Sequence, residues 1–485
     1  MLPSCRTGLA LLFAVTVANQ IVITVTQSPQ VTLGELLTSI TSSGLFELQG
    51  ILLDLGYNAG GVAGDKLVDK LPCRPEPDED EDACRNITEM IRSRKFEVEN
   101  HQVVSKDGYI LSIQRVINPL VDRADRSKLK PVLLVHGALS SAVDWVFYSQ
   151  YARPTRWPPE QATNATGGAR ADEFVSEEEQ DRRNPRSLAF YLANRGYDVF
   201  LPNLRGSKYS LGHLKKTPKD PLYWRFSLDE QIDFDLPAMI KFVQRETGYD
   251  KISFVGWSEG STLMFGLLSD YPEYADVIEP YIAFAPIAYL HNAKTPFMAL
   301  APLVFSAQNR NMGIAFSDAL RYGLKKACGP TEAQKLACLS FANQLYGDNS
   351  EEYDIHRLRT FTHHFPAGTS LKTAAHYSQS MLSRRFARYN HGLLGNKKRY
   401  GTVLPPEYNL TNIRSQSLYL FTADNDYLAD PTDVQLLVSK LRYKPVERFN
   451  MTEFDPKWNH MAYVYHKKAG SLVNPRVAAI LDRYR

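Results

Sequence analysis

Short apolar runs alternate with longer amphipathic stretches through most of the chain, and this alternation predicts the fold. Residues 132–135 form a continuous apolar run, which is typical of a strand buried on both faces of a parallel sheet. Residues 252–255, 281–285 and 418–421 repeat the pattern, and a helical periodicity lies between such runs, as at 227–245. Strands that alternate with helices predict a parallel, doubly covered sheet of the α/β class.

Two alternating runs precede this parallel part. Residues 96–104 and 109–116 both have the period of a strand, and Lys106-Asp107-Gly108 lies between them. Asp-Gly between such runs favours a tight antiparallel hairpin. We therefore expect the core to begin near Asn86, with an antiparallel pair ahead of the parallel strands.

Two segments interrupt the alternation. Residues 153–186 are rich in polar residues, Pro and Gly, and predict a surface loop. Residues 289–400 are much longer than a usual crossover connection and contain apolar clusters with helical patterns, as at 316–324. They predict an inserted helical cap over the active site, so the core would comprise residues 86–288 and 401–485.

The N-terminus has the features of a targeting segment. Arg6 precedes an apolar run at 9–17, and small residues follow near Ala18. This pattern predicts a signal peptide at 1–18, because the run is shorter than the roughly 20 residues of a spanning helix. Apolar residues resume at 21–25, so an uncleaved anchor is the alternative. No later stretch is long and apolar enough to predict a membrane span.

Residues 19–85 differ in character from the rest of the chain and predict an N-terminal extension or pro-segment. Its acidic, Pro-rich end, from Pro75 to Asp82, predicts a solvated linker. Elsewhere basic and acidic residues are interspersed, and the formal net charge of the 485 residues is only +3. Nothing in this distribution indicates a nucleic-acid partner.

Cysteines and glycosylation sequons agree with export. Cys5 would leave with the signal peptide, and the others form two sequence-local couples, as disulfides in an oxidising compartment often do. Four free buried thiols are the alternative. The members of the couples are Cys73 with Cys84 and Cys328 with Cys338, and the sequons lie at Asn86, Asn164, Asn409 and Asn450. We expect a secreted glycoprotein, with the lysosome as the alternative compartment.

The candidate nucleophile is Ser258, in the motif Gly-Trp-Ser-Glu-Gly at 256–260. A serine hydroxyl must be exposed beside a base to react. A nucleophile elbow achieves this on a sharp turn between strand and helix, where flanking glycines avoid collisions. An ordinary glycine-rich turn is the alternative for the pentapeptide alone. The apolar strand before it and the apolar helical pattern after it favour the elbow.

The partners of the serine must follow in the order acid, then histidine. Asp426 follows the strand at 418–421, at the carboxyl end where active-site groups gather. Asp424 is the alternative acid, whereas Asp430 is placed to cap the next helix. His460 is the candidate base, because His466 lies in His-Lys-Lys, which predicts a solvated helical face.

An oxyanion hole requires backbone N–H donors aimed at the developing negative charge. The amide of Glu259 begins the helix after the nucleophile and is the first expected donor. His136-Gly-Ala follows the strand at 132–135, and Ala138 is the second expected donor. A plain turn at the end of the strand is the alternative for this loop.

The chain resembles the acid lipase family, which includes gastric lipase and lysosomal acid lipase. The resemblance extends from about Asn86 to the C-terminus. It is carried by LLVHGALSSAVDW at 133–145, GYDVFLPNLRG at 196–206, FSLDE at 226–230, DLPA at 235–238, PAGTS at 366–370, NDYLADP at 425–431 and Asn459-His460. It implies an α/β-hydrolase fold, the triad Ser258, Asp426 and His460, oxyanion donors Ala138 and Glu259, and a cap disulfide between Cys328 and Cys338.

Two residues at the elbow depart from the family. The family commonly has His before and Gln after the nucleophile, where this chain has Trp257 and Glu259. The backbone N–H of Glu259 can donate whichever side chain is present. An ionised Glu259 carboxylate, however, would oppose negative charge in the transition state.

These observations predict a serine ester hydrolase that cleaves triacylglycerols or sterol esters through an acyl-enzyme, with no metal or organic cofactor. Its partner would be a lipid ester, met at a lipid–water interface. A non-catalytic lipid-binding or storage protein on the same scaffold is the first alternative. A serine peptidase is the second, because a triad does not choose between ester and amide.

Overall fold

The alternation of strand and helix folds into one sheet with helices on both faces. A computed structural model describes residues 80–156, 176–314, 328, 331–349 and 353–485. Within these ranges the principal strands are β1 (Glu97–Val104), β2 (Tyr109–Ile117), β3 (Pro131–Val135), β4 (Asp198–Pro202), β5 (Ile252–Trp257), β6 (Ile278–Phe284), β7 (Leu418–Thr422) and β8 (Glu447–Asn450). Their spatial order is β1-β2-β4-β3-β5-β6-β7-β8.

The strand directions agree with the sequence prediction. Strand β2 is antiparallel to β1 and to β4, whereas β4, β3, β5, β6, β7 and β8 are mutually parallel neighbours. A short strand, Gly212–His213, pairs with β2. This mostly parallel sheet confirms the predicted fold class.

Helices fill the connections between the strands. Their bounds are Ile87–Ser93, Arg123–Arg126, Glu177–Arg183, Leu188–Asn194, Leu228–Glu230, Leu236–Thr247, Glu259–Asp270, Phe297–Ser306, Glu332–Tyr346, Ile355–Phe361, Leu371–Ser383, Gly392–Tyr400, Pro431–Lys440, Ala462–Tyr465, Ala469–Leu472 and Asn474–Asp482. None of the helices in the described ranges is long and apolar enough to cross a bilayer.

The two faces of the sheet bury two separate hydrophobic clusters. Val132 and Leu134 of β3 point into one cluster with the helices Leu188–Asn194 and Asn474–Asp482. Leu133 and Val135 point into the other, with Leu236–Thr247. Because successive side chains of a strand point to opposite faces, a continuous apolar run such as β3 is covered on both sides.

The predicted helix at 227–245 is divided in the structure. Leu228–Glu230 is followed by one turn of wider, π-type helix, Gln231–Asp235, and then by Leu236–Thr247. Pro237 has no N–H to donate, and its ring crowds the carbonyl one turn earlier. A wider turn relieves this conflict without ending the helix.

The predicted surface loop at 153–186 is wrong at its C-terminal end. Glu177–Arg183 is helical and Asp181 is buried. The Asp181 carboxylate accepts hydrogen bonds from Ser149 Oγ at 2.7 Å and from the Tyr151 amide at 2.9 Å. Residues 157–175, which include the sequon at Asn164, lie outside the described residues.

The predicted solvated linker is wrong at Asp82, which is fully buried. Arg94 Nη1 and Arg357 Nη1 lie 2.7 and 3.0 Å from the Asp82 carboxylate. Arg357 Nη1 also contacts Asp80 at 2.7 Å, and His364 Nε2 lies 2.7 Å from the Asp82 carbonyl oxygen. We name Asp80, Asp82, Arg94 and Arg357 the arginine clasp. A local sequence pattern reports the charge of an acidic run but not the distant cations that bury it.

Among its described residues, the segment between β6 and β7 contains five helices, and it carries the disulfide Cys328–Cys338, with a Cα–Cα distance of 5.3 Å. Cys84 is also disulfide-bonded, whereas its expected partner, Cys73, lies outside the described residues. The helical pattern at 316–324 and residues 1–79, with the expected signal peptide, lie outside them too.

Candidate active site

Ser258 occupies the turn between β5 and the helix Glu259–Asp270, which we name the elbow helix. Its φ of 52° and ψ of −110° place it in a strained region for a residue with a side chain. A Cβ atom at Gly256 would collide with the backbone of Gly260, and one at Gly260 with the carbonyl oxygen of Val135. The two glycines therefore allow helix and strand to approach closely enough to form this turn.

The structure brings Ser258, Asp426 and His460 together. Ser258 Oγ lies 2.9 Å from His460 Nε2, and His460 Nδ1 lies 2.9 Å from both carboxylate oxygens of Asp426. An Nδ1–H donated to Asp426 leaves Nε2 free to accept the serine proton. All three side chains are buried, with Ser258 retaining 6% of its surface exposed.

Asp426 is held by the loop in which it lies. Its Oδ1 accepts hydrogen bonds from the amides of Leu428 and Ala429, at 2.9 and 2.8 Å. The alternative acid, Asp424, is exposed and accepts from Asn450 Nδ2 at 2.9 Å. Asp430 instead caps the helix Pro431–Lys440 through the Thr432 amide, as its position in the sequence predicts.

His466 is not the solvated residue that its sequence context predicts. It is fully buried, and its ring stacks on Trp458 with 4.4 Å between ring centroids. Its Nδ1 accepts from the Lys468 amide at 3.1 Å, and its Nε2 lies 3.6 Å from Asp455 Oδ2. It is not part of the hydrogen-bonded chain at Ser258.

Ala138 and Glu259, the expected oxyanion donors, both line the cavity beside Ser258. Glu259 is the first residue of the elbow helix, where the backbone N–H has no acceptor in the helix itself. His136 holds the other loop, because its Nδ1 lies 2.8 Å from the Gly137 carbonyl and its Nε2 accepts from the Leu204 amide at 3.1 Å. Burial lowers the pKa of His136 to about 4, so the ring is neutral and keeps this donor–acceptor pattern.

The side chain of Glu259 is buried, and no cation contacts it among the residues that the structure describes. Its carboxyl group accepts hydrogen bonds from Tyr377 Oη at 3.0 Å and from Gln231 Nε2 at 3.3 Å. Burial raises the pKa of Glu259 to about 7, against the opposing effect of these two neutral donors. Near neutral pH the group beside the nucleophile is therefore a mixture of acid and carboxylate.

Trp257, the other departure from the family, contacts His460. Its Nε1 donates to the His460 carbonyl oxygen at 3.0 Å, and the two ring centroids are 6.0 Å apart. A Cβ at Gly137 would lie only 3.1 Å from the Trp257 ring. The indole thus fixes the backbone of His460 and packs under the loop of Ala138.

An apolar cavity of about 460 Å³ adjoins Ser258 and His460. Many of its lining side chains come from the segment between β6 and β7, including Phe297, Leu300, Val304, Phe341, Leu345 and Met381. Such a volume lies in the range of small-molecule sites. Its mainly apolar lining suits the hydrocarbon part of a ligand, and Ser258 and His460 lie at its wall.

Sequence reasoning missed Tyr377 and Gln231 as partners of Glu259, and it assigned no role to Trp257. Tyr377 is 118 residues from Glu259, and Gln231 is 28 residues away. No local pattern reports such pairings. The sequence offers one signal, the acidic residue at the start of a buried helix, because a buried carboxyl group requires hydrogen-bond donors nearby.

Comparisons with known proteins agree with this geometry. A model of a partial alpha/beta-hydrolase lipase region matches residues 87–149, and one of the alpha/beta hydrolase fold matches residues 179–276. Gastric triacylglycerol lipase of Homo sapiens is 30% identical over 381 residues, covering 76% of this chain and 86% of the relative.

Two further relatives have similar coverage. Gastric triacylglycerol lipase of Bos taurus is 29% identical over 82% of this chain and 92% of its own length. Lipase member K of Homo sapiens is 29% identical over 77% and 87%. The resemblance seen in the sequence is confirmed, and the chain belongs to the gastric lipase, or acid lipase, family of α/β hydrolases.

Proposed function

We propose that this protein is a lipid ester hydrolase that uses Ser258 as its nucleophile and forms an acyl-enzyme. The observation that carries the proposal is the hydrogen-bonded chain from Ser258 Oγ through His460 to Asp426, beside an apolar cavity. Membership of a lipase family supports a carboxylic ester as the reacting group.

In the acylation half, Ser258 Oγ attacks the ester carbonyl carbon while His460 Nε2 takes its proton. Asp426 keeps the imidazole in the required tautomer and stabilises the imidazolium. The amides of Ala138 and Glu259 donate to the oxyanion. His460 then donates this proton to the alcohol oxygen as the ester C–O bond breaks.

In the deacylation half, a water molecule replaces the alcohol. His460 takes a proton from the water as its oxygen attacks the acyl carbon, and it then returns a proton to Ser258 Oγ. The fatty acid leaves and the serine is regenerated. At the end of the cycle each residue has the protonation state in which it began.

The lining of the cavity supports an ester with a long hydrocarbon chain, such as a triacylglycerol or a sterol ester. Residues 289–400 supply much of this lining, and we propose that they act as a cap over the site. A peptide substrate would bring amide groups into a cavity that offers them few polar partners.

We also propose that the protein enters the secretory pathway, with the lysosome as the alternative destination. The Cys328–Cys338 disulfide supports an oxidising compartment. Asn86 and Asn409 are exposed, and Asn450 is half-buried, so these sequons are open to glycosylation to different degrees.

A substrate panel tests the proposed reaction. Purified protein is assayed on triacylglycerol, cholesteryl ester, a short aryl ester and a peptide, beside the Ser258→Ala and Asp426→Asn variants. We expect ester turnover by the wild type and a loss of about 10⁴-fold or more in kcat in both variants. The exposed Asp424→Asn is the matched control and should retain activity.

Two outcomes would contradict the proposal. Undiminished ester hydrolysis by Ser258→Ala would remove the nucleophile. Absence of any ester turnover by folded wild-type protein, from acid to neutral pH, would favour a lipid-binding protein instead.

A further inference from the structure

The helix Gly392–Tyr400 presents large apolar side chains to solvent. Leu393 and Leu394 are 68% and 86% exposed, and Val403 and Leu404, just beyond the helix, are 54% and 59% exposed. Soluble proteins seldom gather several such side chains without a partner. We name these four residues, with Lys397 and Lys398, the leucine–lysine patch.

The exposure is imposed by a rigid scaffold. Asn396 is buried at the centre of the helix, where its Nδ2 donates to Asn390 Oδ1 and to the Val403 carbonyl at 2.8 and 2.9 Å. Tyr400 Oη contacts Asp229 Oδ2 at 3.1 Å and the Tyr389 carbonyl at 2.9 Å. The leucines are therefore held outward by a fixed set of hydrogen bonds.

Positive charge surrounds the leucines. Lys397 and Lys398 are exposed on the same helix, and Arg399 follows, paired with Glu230 at 3.0 Å. The pKa of His391 is lowered to about 4, first by burial and then by the charges of Lys372 and Arg399. The positive field thus extends from this helix to Lys372 of the neighbouring helix Leu371–Ser383.

The same neighbouring helix also reaches the active site. Thr373, Ala374 and Tyr377 line the cavity beside Ser258, and Lys372 lies 4.7 Å from the centre of the Tyr389 ring. One helix therefore carries both Lys372, which contributes to the charge around His391, and part of the lining of the cavity.

We propose that the leucine–lysine patch is a docking site for a lipid surface that carries anionic headgroups. Exposed leucines enter the acyl boundary of such a surface, while lysines pair with phosphate or carboxylate groups. Exposed apolar side chains beside the exposed Lys397 and Lys398 match the two chemistries of such a surface, acyl chains and anionic headgroups. The inference goes beyond the proposed reaction, because binding requires neither Ser258 nor His460.

Vesicle sedimentation of the full chain tests the proposal, with Ser258→Ala used throughout so that the lipid stays intact. The probes are phosphatidylcholine vesicles with and without phosphatidylserine. We expect tighter binding to the anionic vesicles. Leu393→Ser with Leu394→Ser should weaken binding to both kinds about 10-fold or more. Lys397→Ala with Lys398→Ala should weaken binding to the anionic vesicles by about 30-fold at low salt.

The matched control is Leu120→Ser with Val446→Ser, two similarly exposed apolar residues outside the patch, at 48% and 50% exposure. It should bind as the parent protein does. Equal binding by patch variants and parent, or no preference for anionic vesicles, would overturn the proposal. A leucine variant that changes only the oligomeric state, measured by light scattering, would assign the patch to self-association.

The same substitutions placed in the active Ser258 background separate this proposal from the catalytic one. Hydrolysis of a short, soluble aryl ester should be unchanged, which also verifies folding. Failure of that hydrolysis in the parent would contradict the proposed reaction and leave the vesicle result intact.

Discussion

Asp82 in the arginine clasp and Glu259 at the elbow are both buried carboxyl groups, but they have different partners. Asp82 contacts the guanidinium groups of Arg94 and Arg357, and its pKa is lowered although burial alone would raise it. Within the described part of the chain, Glu259 accepts hydrogen bonds from the neutral donors Tyr377 and Gln231, and its pKa is raised to about 7.

The comparison distinguishes a buried carboxyl group that stays ionised, Asp82, from one that changes its charge near neutral pH, Glu259. The guanidinium groups of Arg85, Arg94 and Arg357 keep Asp82 ionised, so it joins the N-terminal segment to Arg357 at any pH near neutrality. Glu259, whose described partners are neutral, changes charge near pH 7. Burial is common to both groups, and the identity of the partner decides the role.

The largest expected effect is that of Asp82→Asn. Removing the carboxylate leaves the buried guanidinium of Arg94 without its counter-charge and leaves Arg357 with Asp80 alone, which costs about 3–5 kcal/mol of unfolding free energy. Urea unfolding at neutral pH measures the change. The exposed Glu178→Gln, which breaks an ion pair with Arg182 at the surface, should have almost no effect. A small loss in Asp82→Asn would mean that the clasp does not stabilise the fold.

The pH dependence of the clasp has a definite sign. Because the pKa of Asp82 is lowered in the folded protein, its contribution to stability is complete above its ordinary value of 3.8. That contribution is lost as the pH falls further. Wild-type and Asp82→Asn proteins should therefore converge in stability in strong acid.

Glu259→Gln should have the opposite sign. The raised pKa means that ionisation of Glu259 costs stability as the pH rises from 4.5 through about 7. The variant should be more stable than the wild type by about 3 kcal/mol at about pH 8 and nearly equal at about pH 4. Urea titrations at the two pH values measure this, with the exposed Glu273→Gln as control. If the variant were less stable than the wild type at the higher pH, ionised Glu259 would stabilise the fold as Asp82 does, and the proposed difference between the two groups would be wrong.

The smallest of the three effects is expected for Trp257→Phe, which tests the neutral hydrogen bonds of the site. Loss of the Nε1 donor to the His460 carbonyl should reduce kcat about 5-fold with little change in KM. The control is Trp145→Phe, since Trp145 Nε1 has no hydrogen-bond partner among the described residues. Equal losses in both variants would show a general packing effect.

The sequence predicts what depends on local pattern. Strand β3 follows from its continuous apolar run, and the turn at Ser258 follows from the glycines beside it. The position of Asp426 follows from the end of strand β7. The sequence could not predict the burial of Asp82 or of His466, because both depend on residues that are distant along the chain or on an aromatic neighbour. The donors to Glu259 were likewise invisible, since Tyr377 has no distinctive local context.

Covalent labelling tests the central claim most directly, that Ser258 is made reactive by His460. A long-chain alkyl phosphonate ester would form a bond between phosphorus and Ser258 Oγ, with loss of its leaving group. Digestion and mass spectrometry should find the label on the peptide that contains Ser258, and His460→Ala should label far more slowly. Labelling at another residue, or equal labelling of the His460→Ala variant, would contradict the assignment.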